Sequence, residues 1–148
     1  MKVVDTREYV SVLRELTEEG KEVRMTIAGS SMNPFLIHER DSICFRKPDR
    51  ELKRGDMVFY QRLNGAYVMH RIWKAAPEGY YIVGDAQTEI EGPVKREQIF
   101  AVITKVCRKG KWLGPGDFWW EFFEHVWIRL VPFRRKIMKG YSAFKSLF

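Results

Sequence analysis

The stretch MVFYQRLNGAYVMHRIW, residues 57–73, decides the fold class. Two runs of apolar and β-prone residues, 57–62 and 66–73, flank the dipeptide Asn64-Gly65. Asn-Gly favours the two-residue turn whose twist matches that of the flanking strands, and it is the strongest short signal for a hairpin. The stretch therefore predicts two antiparallel strands joined by a tight turn.

Further strand patterns lie on both sides of this hairpin. Val23, Met25 and Ile27 alternate with polar residues, and a period of two is typical of a half-buried strand. The other predicted strands lie around Ile43 and Phe45, and at residues 80–83, 98–107 and 111–113. Six or seven short strands with tight turns predict a mainly β protein, a compact curled antiparallel sheet or barrel.

A short amphipathic helix is predicted at the N-terminus, from Asp5 to Glu19. Asp5 and Glu8 have the spacing of a capping box, and Gly20 stands where a C-terminal capping glycine is common. The apolar residues that share one face of this helix are Tyr9, Val10, Leu13 and Leu16. We expect the helix to pack on the β residues as a brace or lid.

The run Gly114-Pro115-Gly116 separates two parts of different composition. Residues 1–113 are predicted to form a β domain with its N-terminal helix, and residues 114–148 a C-terminal helical appendage that is aromatic and basic. Nine of the 26 Lys and Arg residues, but only three of the 19 Asp and Glu residues, lie after Cys107. The net charge of +7 therefore belongs mostly to the appendage.

The composition excludes several classes of protein. With 148 residues, of which 45% are hydrophobic and 30% charged, the chain can bury a core and has no signature of disorder. Cys44 and Cys107 form neither a metal-ligand spacing nor a disulfide framework, and we expect no metal and no cofactor. The N-terminus does not read as a signal peptide, and no apolar run is long enough to span a membrane. This predicts a cytoplasmic protein or one that is peripheral at a membrane surface.

The loop AGSSMNPFL, residues 28–36, could carry a nucleophile. It follows a strand, so Ser30 and Ser31 can be exposed, and free backbone N–H groups around them could hold a developing oxyanion. Gly29 allows close backbone approach, and Pro34 fixes the exit of the loop. Taken alone, serine and glycine in a loop are also typical of a plain turn.

Two further segments, VMHRI at 68–72 and VGDAQ at 83–87, could supply a base and an acid. In a strand His70 lies on the apolar side, where a histidine without a partner is costly. The position of His70 also fits a core histidine bonded to a backbone group, and Asp85 also fits an ordinary Gly-Asp turn. Together, serine, histidine and aspartate form the set in which a base activates the hydroxyl and an acid orients the base.

The ordered motifs SSMNP, RGDMVFY, HRI and GDA resemble those of the bacterial and archaeal type I signal peptidases and of related self-cleaving repressor proteases. The resemblance covers roughly residues 22–107 and points to the branch that uses histidine where other members use lysine. It implies a curled β sheet of the signal-peptidase type. It also implies a serine endopeptidase that acts by acyl transfer on a peptide or precursor protein, without a cofactor.

Matched motif by motif, the nucleophile of the family falls on Ser31, its base on His70 and its acid on Asp85. The oxyanion loop falls on Gly29 and Ser30, and Gly29 stands where many relatives carry a hydroxyl residue. The residues expected to shape the site are Met32, Pro34, Gly55, Asp56, Arg71 and Gly84. A catalytically weak or inactive peptide-binding module on the same fold is the alternative, and the missing hydroxyl supports it.

An aromatic stripe runs through the C-terminal appendage at helical spacing, and Pro132 is expected to end or kink that helix. Basic residues follow at once, a pattern typical of a helix in the interface of an anionic membrane. The residues predicted to contact the membrane are Trp119, Trp120, Phe123 and Trp127. The same stripe also fits a helix packed in a groove of the β domain or against a second subunit. We expect no nucleic-acid binding, because the β domain is close to neutral.

Overall fold

The computed structural model describes residues 6–144, whose strands form one open sheet. The elements before the C-terminal helical region are α1 (Thr6–Glu18), β1 (Val23–Thr26), β2 (Ser42–Arg46), β3 (Met57–Gln61), β4 (Tyr67–Ala76), β5 (Gly79–Val83), β6 (Glu91–Val94), β7 (Ile99–Arg108) and β8 (Lys111–Leu113). The strands lie in the order β1-β2-β7-β3-β4-β5-β6, all pairs are antiparallel, and β8 pairs with β7. The prediction of a mainly β, antiparallel fold with a helix at each end is confirmed. The sheet does not close into a barrel.

The predicted hairpin forms, with a turn of three residues, 63–65, rather than the two of Asn64-Gly65 alone. β3 and β4 pair with Met57 opposite Arg71. In the turn, the Ala66 N–H donates to the Asn64 side-chain oxygen at 3.0 Å, and Gly65 has a φ of 92°, which glycine adopts without strain. Because the turn fixes the register, it also fixes which side chains of β4 face each side of the sheet.

The two faces of the sheet carry separate hydrophobic cores. Met57 and Phe59 belong to one, which also takes in residues of α1, of the 28–36 loop and of the C-terminal region. We call it the loop-side core. Val58 and Tyr60 belong to the other, which we call the far-side core. This alternation along β3 is the period of two expected of a strand.

Helix α1 lies on the loop-side core. Val10 and Leu13 are buried there, and Thr17 continues the same face. Tyr9 is 45% exposed, so the prediction that it shares the buried face is wrong. The spacing of positions 10, 13 and 17 centres the buried face away from Tyr9. Asp5, the first residue of the predicted capping box, lies outside the described residues.

Within residues 6–144, strand β6 is the one that the alternation pattern does not predict. It contains Gly92 and Pro93, which are both disfavoured in strands. The strand lies at the edge of the sheet, where the missing N–H of proline is tolerated. Its pairing with β5 places Glu91 opposite Ile82, a residue of the far-side core.

The C-terminal arm, residues 118–144, is helical but broken. It consists of α2 (Phe118–Glu121), a π-helical turn (Phe122–Val126), a 3₁₀ stretch (Trp127–Phe133) and α3 (Arg134–Phe144). Leu130 leaves the helical region with φ −97° and ψ 15°, and Pro132 follows within the same stretch. Proline removes a helical N–H and crowds the preceding turn, so the predicted break occurs here. Over the described part of the chain, no helix has the length and hydropathy needed to cross a membrane.

Candidate active site

Ser31 begins a tight turn after β1, at the rim of a cavity of about 170 Å³. The walls of the cavity are largely apolar and include Val10 of α1 and Met69 of β4. Ser31 is half-buried, whereas Gly29 and Ser30 are exposed. The structure thus places the predicted nucleophile where a substrate side chain could enter beside it.

The loop that carries the serine is anchored in the loop-side core. Met32, Pro34 and Phe35 are buried. Arg108 donates from Nε to the Phe35 carbonyl at 2.8 Å and from Nη2 to the Pro34 carbonyl at 3.5 Å. The Phe35 ring stacks on Phe123 of the C-terminal arm, with 4.7 Å between the ring centroids. These contacts hold the loop against the sheet and the arm.

His70 lies in β4, opposite Val58 of β3, and faces the far-side core. It is 4% exposed, and its Nδ1 is buried with no hydrogen-bond partner among residues 6–144. Burial lowers the pKa of His70 to about 4, although the carboxylate of Glu91 opposes this effect. The imidazole is therefore neutral at pH 7 and can accept a proton.

Gly84, directly after β5, lies between the 28–36 loop, which we also call the serine loop, and His70. A Cβ placed on Gly84 would lie 2.6 Å from the Ser31 carbonyl oxygen and 3.1 Å from His70 Cδ2, so only glycine fits here. Because Cδ2 is bonded to Nε2, this edge of the ring is the one that carries Nε2. No hydrogen bond joins Ser31 Oγ to His70 in the described structure. Such contacts are often long in enzymes without substrate.

Asp85 is fully buried, but its carboxylate is bonded to Arg71 rather than to His70. Both carboxylate oxygens accept hydrogen bonds from Arg71, at 2.9 Å each, and Arg71 also donates to the Gly55 carbonyl at 2.9 Å. His70 and Arg71 are consecutive in β4, so their side chains point to opposite faces of the sheet. The predicted role of Asp85 as the acid behind His70 is therefore not met in this structure. Its carboxylate compensates the buried charge of Arg71 instead.

The carboxylate on the His70 side of the sheet belongs to Glu91. Arg62 binds Glu91 through two hydrogen bonds, of 3.0 and 2.7 Å. Tyr60, from the same face of β3, meets the His70 ring edge-on with 6.3 Å between centroids. Glu91 stands in no sequence motif and reaches this face only through the pairing of β5 with β6, so no pattern in the sequence predicts it.

In the loop expected to hold the oxyanion, the N–H of Ser31 is free among the described residues and that of Gly29 is engaged. The Ser31 N–H donates to no group in the part of the chain that the structure covers. The Gly29 N–H, in contrast, donates to Nδ1 of the exposed His38 at 2.7 Å. Gly29 therefore supplies no second donor, whereas the exposed Ser30 donates no hydrogen bond through its N–H or its hydroxyl within residues 6–144.

The Gly55-Asp56 turn braces β4 beside Arg71. The Gly55 N–H donates to the Ile72 carbonyl, and the Ile72 N–H donates to the Asp56 carbonyl, at 2.8 Å each. Arg50 donates two hydrogen bonds to the Asp56 carboxylate. Burial raises the pKa of Asp56, but the bonds from Arg50 and Lys53 outweigh burial and hold it below its ordinary value. The motif therefore acts on the shape of the sheet.

The aromatic stripe of the C-terminal arm faces the protein. Trp120, Phe123 and Trp127 are buried in the loop-side core, and Trp119 packs against it partly buried. The first three side chains are therefore unavailable to a membrane, which corrects the predicted contact. For Trp120, Phe123 and Trp127, the structure instead matches the alternative prediction of a helix packed against the β domain. An amphipathic stripe has the same periodicity whether lipid or protein covers it.

One group in the described part of the chain has the donor types of a metal site. Glu121, Glu124 and His125 on the C-terminal arm bring three potential ligand atoms within 4.8 Å of one another. The Glu124 carboxylate already contacts Lys53 at 3.2 Å and His125 at 3.1 Å. Contacts among protein side chains therefore account for this group.

No family model, curated protein or solved structure matches the chain. The resemblance of its four motifs to signal peptidases therefore stays a prediction. The geometry places the Ser31 carbonyl oxygen and the edge of a neutral imidazole against the same glycine, with Ser31 at the rim of an apolar cavity. This set of groups is suited to acyl transfer.

Proposed function

We propose that this protein is a serine endopeptidase resembling the type I signal peptidases, with Ser31 as nucleophile and His70 as general base. The observation that carries the proposal is that the Ser31 carbonyl oxygen and the Cδ2 edge of the His70 ring both lie against Gly84. They lie on different elements and on different faces of the sheet, and the 28–36 loop and β4 also line the apolar cavity together and meet where the Arg71 guanidinium lies over the Phe35 ring. A serine hydroxyl and a neutral base are the minimal pair for nucleophilic catalysis, and the proposal requires that a bound substrate bring Ser31 Oγ within hydrogen-bond reach of His70 Nε2.

In the proposed mechanism, Ser31 Oγ attacks the peptide carbonyl while His70 takes its proton. The Ser31 N–H donates to the oxyanion, and the tetrahedral intermediate then expels the amine, which receives the proton from His70. Water releases the acyl group by the same route. With a pKa of about 4, His70 is a weak base, but its protonated form is a strong acid for the leaving amine.

The edge of β4 beside the serine loop offers a place for an extended peptide. β5 pairs with β4 only from Arg71 onward, so within residues 6–144 the positions 67–70 pair on one side alone, with β3. A substrate strand can add to such an edge through main-chain hydrogen bonds. The cavity of about 170 Å³ would then hold one small apolar side chain next to the bond that is cut.

Cleavage of a peptide library by the purified protein tests this function. We expect the wild type to cut and Ser31→Ala to lose about 10³-fold or more of the rate. Ser30→Ala, which removes the neighbouring hydroxyl, is the matched control and should stay within a few-fold of the wild type. Undiminished cleavage by Ser31→Ala would contradict the assignment.

A peptide-binding module with little or no catalysis is the second candidate. Two observations favour it: the Asp85 carboxylate is taken by Arg71, and the Gly29 amide is bonded to His38. The base therefore lacks a hydrogen-bonded acid in the described part of the chain, and the Gly29 N–H cannot serve the oxyanion while it is bonded to His38. Peptide binding of equal strength by wild type and Ser31→Ala, without any cleavage, would favour this candidate over the peptidase.

A peripheral position at an anionic membrane is also part of the proposal, and it rests on the exposed part of the C-terminal arm. Phe133 and Ile137 are exposed beside Arg135, Lys136 and Lys139. Apolar side chains flanked by cations fit an anionic lipid surface. Sedimentation with phosphatidylserine vesicles should be lost when the three basic residues are replaced by Gln, and unchanged sedimentation would contradict it.

A further inference from the structure

The turn at residues 84–87, which we call the 84–87 turn, lies between the serine loop and the C-terminal arm. On one side the Ala86 N–H donates to the Ser31 carbonyl at 2.9 Å. Gly84 lies so close to Ser31 and His70 that a methyl group does not fit. The position of this turn therefore decides how the serine loop sits relative to His70.

On its other side the 84–87 turn is bound by two residues of the C-terminal arm. Trp127 donates from Nε1 to the Asp85 carbonyl at 2.7 Å. Arg134 donates from Nη1 to the carbonyls of Gly84 and Gln87, at 2.9 Å each, and from Nη2 to the Trp127 carbonyl at 3.0 Å. Three of the four carbonyls of the turn are thus held by the arm.

The burial of Arg134 has an energetic cost that its contacts must offset. The residue is 1% exposed, and burial lowers its pKa to about 10, although the Asp85 carboxylate opposes this. Its guanidinium lies over the Trp127 ring, 5.1 Å from the centroid. An apolar side chain of similar size would avoid the desolvation of a cation. The rigid, planar fork of a guanidinium can bond several carbonyls at once in fixed directions, so the geometry of the turn accounts for the charge.

We propose that the C-terminal arm positions the peptidase site, with Arg134 and Trp127 as the positioning residues. By holding the carbonyls of the 84–87 turn, they keep its Ala86 N–H on the Ser31 carbonyl and thereby keep Ser31 beside His70. Neither residue touches the substrate. This inference rests on the proposed function and extends it to a segment outside the four motifs.

The first test is the rate at which a fluorophosphonate probe labels Ser31 in the full-length chain, at a temperature at which circular dichroism shows each variant to be folded. We expect Arg134→Met to lose about 10-fold or more, because small misplacements of a nucleophile slow its reaction strongly. Arg134→Lys should recover part of the loss. Trp127→Phe, which keeps a ring but removes the donor, should also label more slowly. Arg129→Met, at an exposed position of the same arm, should label at the wild-type rate.

Equal labelling by the wild type, Arg134→Met and Trp127→Phe overturns the inference. Hydrogen exchange of the Ala86 amide, followed by NMR, tests the inference independently of any reaction at Ser31. In both variants this amide should lose about 10-fold or more of its protection, whereas the Ile72 amide, bonded to Asp56, should keep its own. Unchanged Ala86 protection also overturns the inference. If the wild type is not labelled, the proposed function fails, and the exchange of the Ala86 amide alone tests whether the arm holds the turn. If Arg134→Met does not fold, the same measurements on Trp127→Phe test the inference.

Discussion

His70 and Arg71, neighbours in β4, divide the charged groups of the site between the two faces of the sheet. Arg71 binds Asp85 on the loop side. His70 instead faces the far side, where Tyr60 meets its ring and Glu91 is the nearby carboxylate. Burial is the main cause of the low pKa of His70. This pKa can be tested through the pH dependence of stability and through the effect of neighbouring carboxylates.

Stability should fall on mild acidification because of His70. Its pKa is about 4 in the folded protein, against an ordinary value of 6.5 in the unfolded chain. Between these values the unfolded chain binds a proton that the folded protein does not. The free energy of unfolding should therefore decrease by roughly 3 kcal/mol as the pH falls from about 6.5 to about 4. Urea unfolding at each pH measures this, and His70→Gln should lack this part of the loss. The same pH dependence in both proteins would contradict the burial of a neutral imidazole.

Glu91→Gln should lower the pKa of His70 further, since the carboxylate stabilises the imidazolium. Asp85→Asn should change that pKa less, because Arg71 compensates the Asp85 charge on the other face. NMR titration of the His70 ring compares the two variants, with Glu89→Gln at an exposed position as the control. A larger shift from Asp85→Asn than from Glu91→Gln would show that the carboxylates are paired differently.

Among the elements, the hairpin, strand β6 and the C-terminal arm differ in how far a pattern predicts them. Asn64-Gly65 predicts the hairpin, because the turn chemistry is local, but not its register. A two-residue turn there would place Gln61 opposite Val68, whereas the turn contains three residues, 63–65, and Gln61 lies opposite Tyr67. The sequence does not predict β6, because Gly92 and Pro93 are tolerated in a strand only at the edge of a sheet. The position of Glu91 beside His70 is therefore not predicted either. The aromatic stripe predicts an amphipathic helix but not what covers it, because lipid and protein select the same pattern.

The candidate site divides in the same way. Ser31 and His70 follow from the motifs, and the structure brings both to Gly84. The partner of Asp85 does not follow, because the motif HRI holds two basic residues on opposite faces of a strand. Only the strand pairing and the burial of Arg71 decide which of them meets the acid. The hydrogen bonds from the C-terminal arm to the 84–87 turn lie outside every motif.

Phe123→Ala should show that the C-terminal arm is part of the core. Phe123 is buried and stacks on Phe35 of the serine loop, so its loss should lower the free energy of unfolding by about 3–5 kcal/mol. Phe118→Ala is the matched control, because Phe118 is 70% exposed in the same arm and its loss should cost under about 0.5 kcal/mol. Urea unfolding measures both, and equal effects would contradict the packing of the arm.

At the scale of the whole molecule, the β domain and the C-terminal arm share one core. The change of composition predicts a division into residues 1–113 and 114–148. The loop-side core nevertheless contains side chains from both parts, and the arm also binds the 84–87 turn. The proposed site is therefore assembled from the 28–36 loop, β4, the turn after β5 and the arm, and we expect any activity to require both parts of the chain.

The site of attachment of a fluorophosphonate probe tests the central claim most directly. Digestion and mass spectrometry of the labelled wild type should place the adduct on Ser31. The same adduct should form at the wild-type rate in Ser30→Ala. In His70→Gln, which lacks the base, it should form about 10²-fold or more slowly than in the wild type. An adduct on another residue, a rate independent of His70, or a folded wild type that takes no label would contradict the assignment of Ser31 and His70 as the catalytic pair.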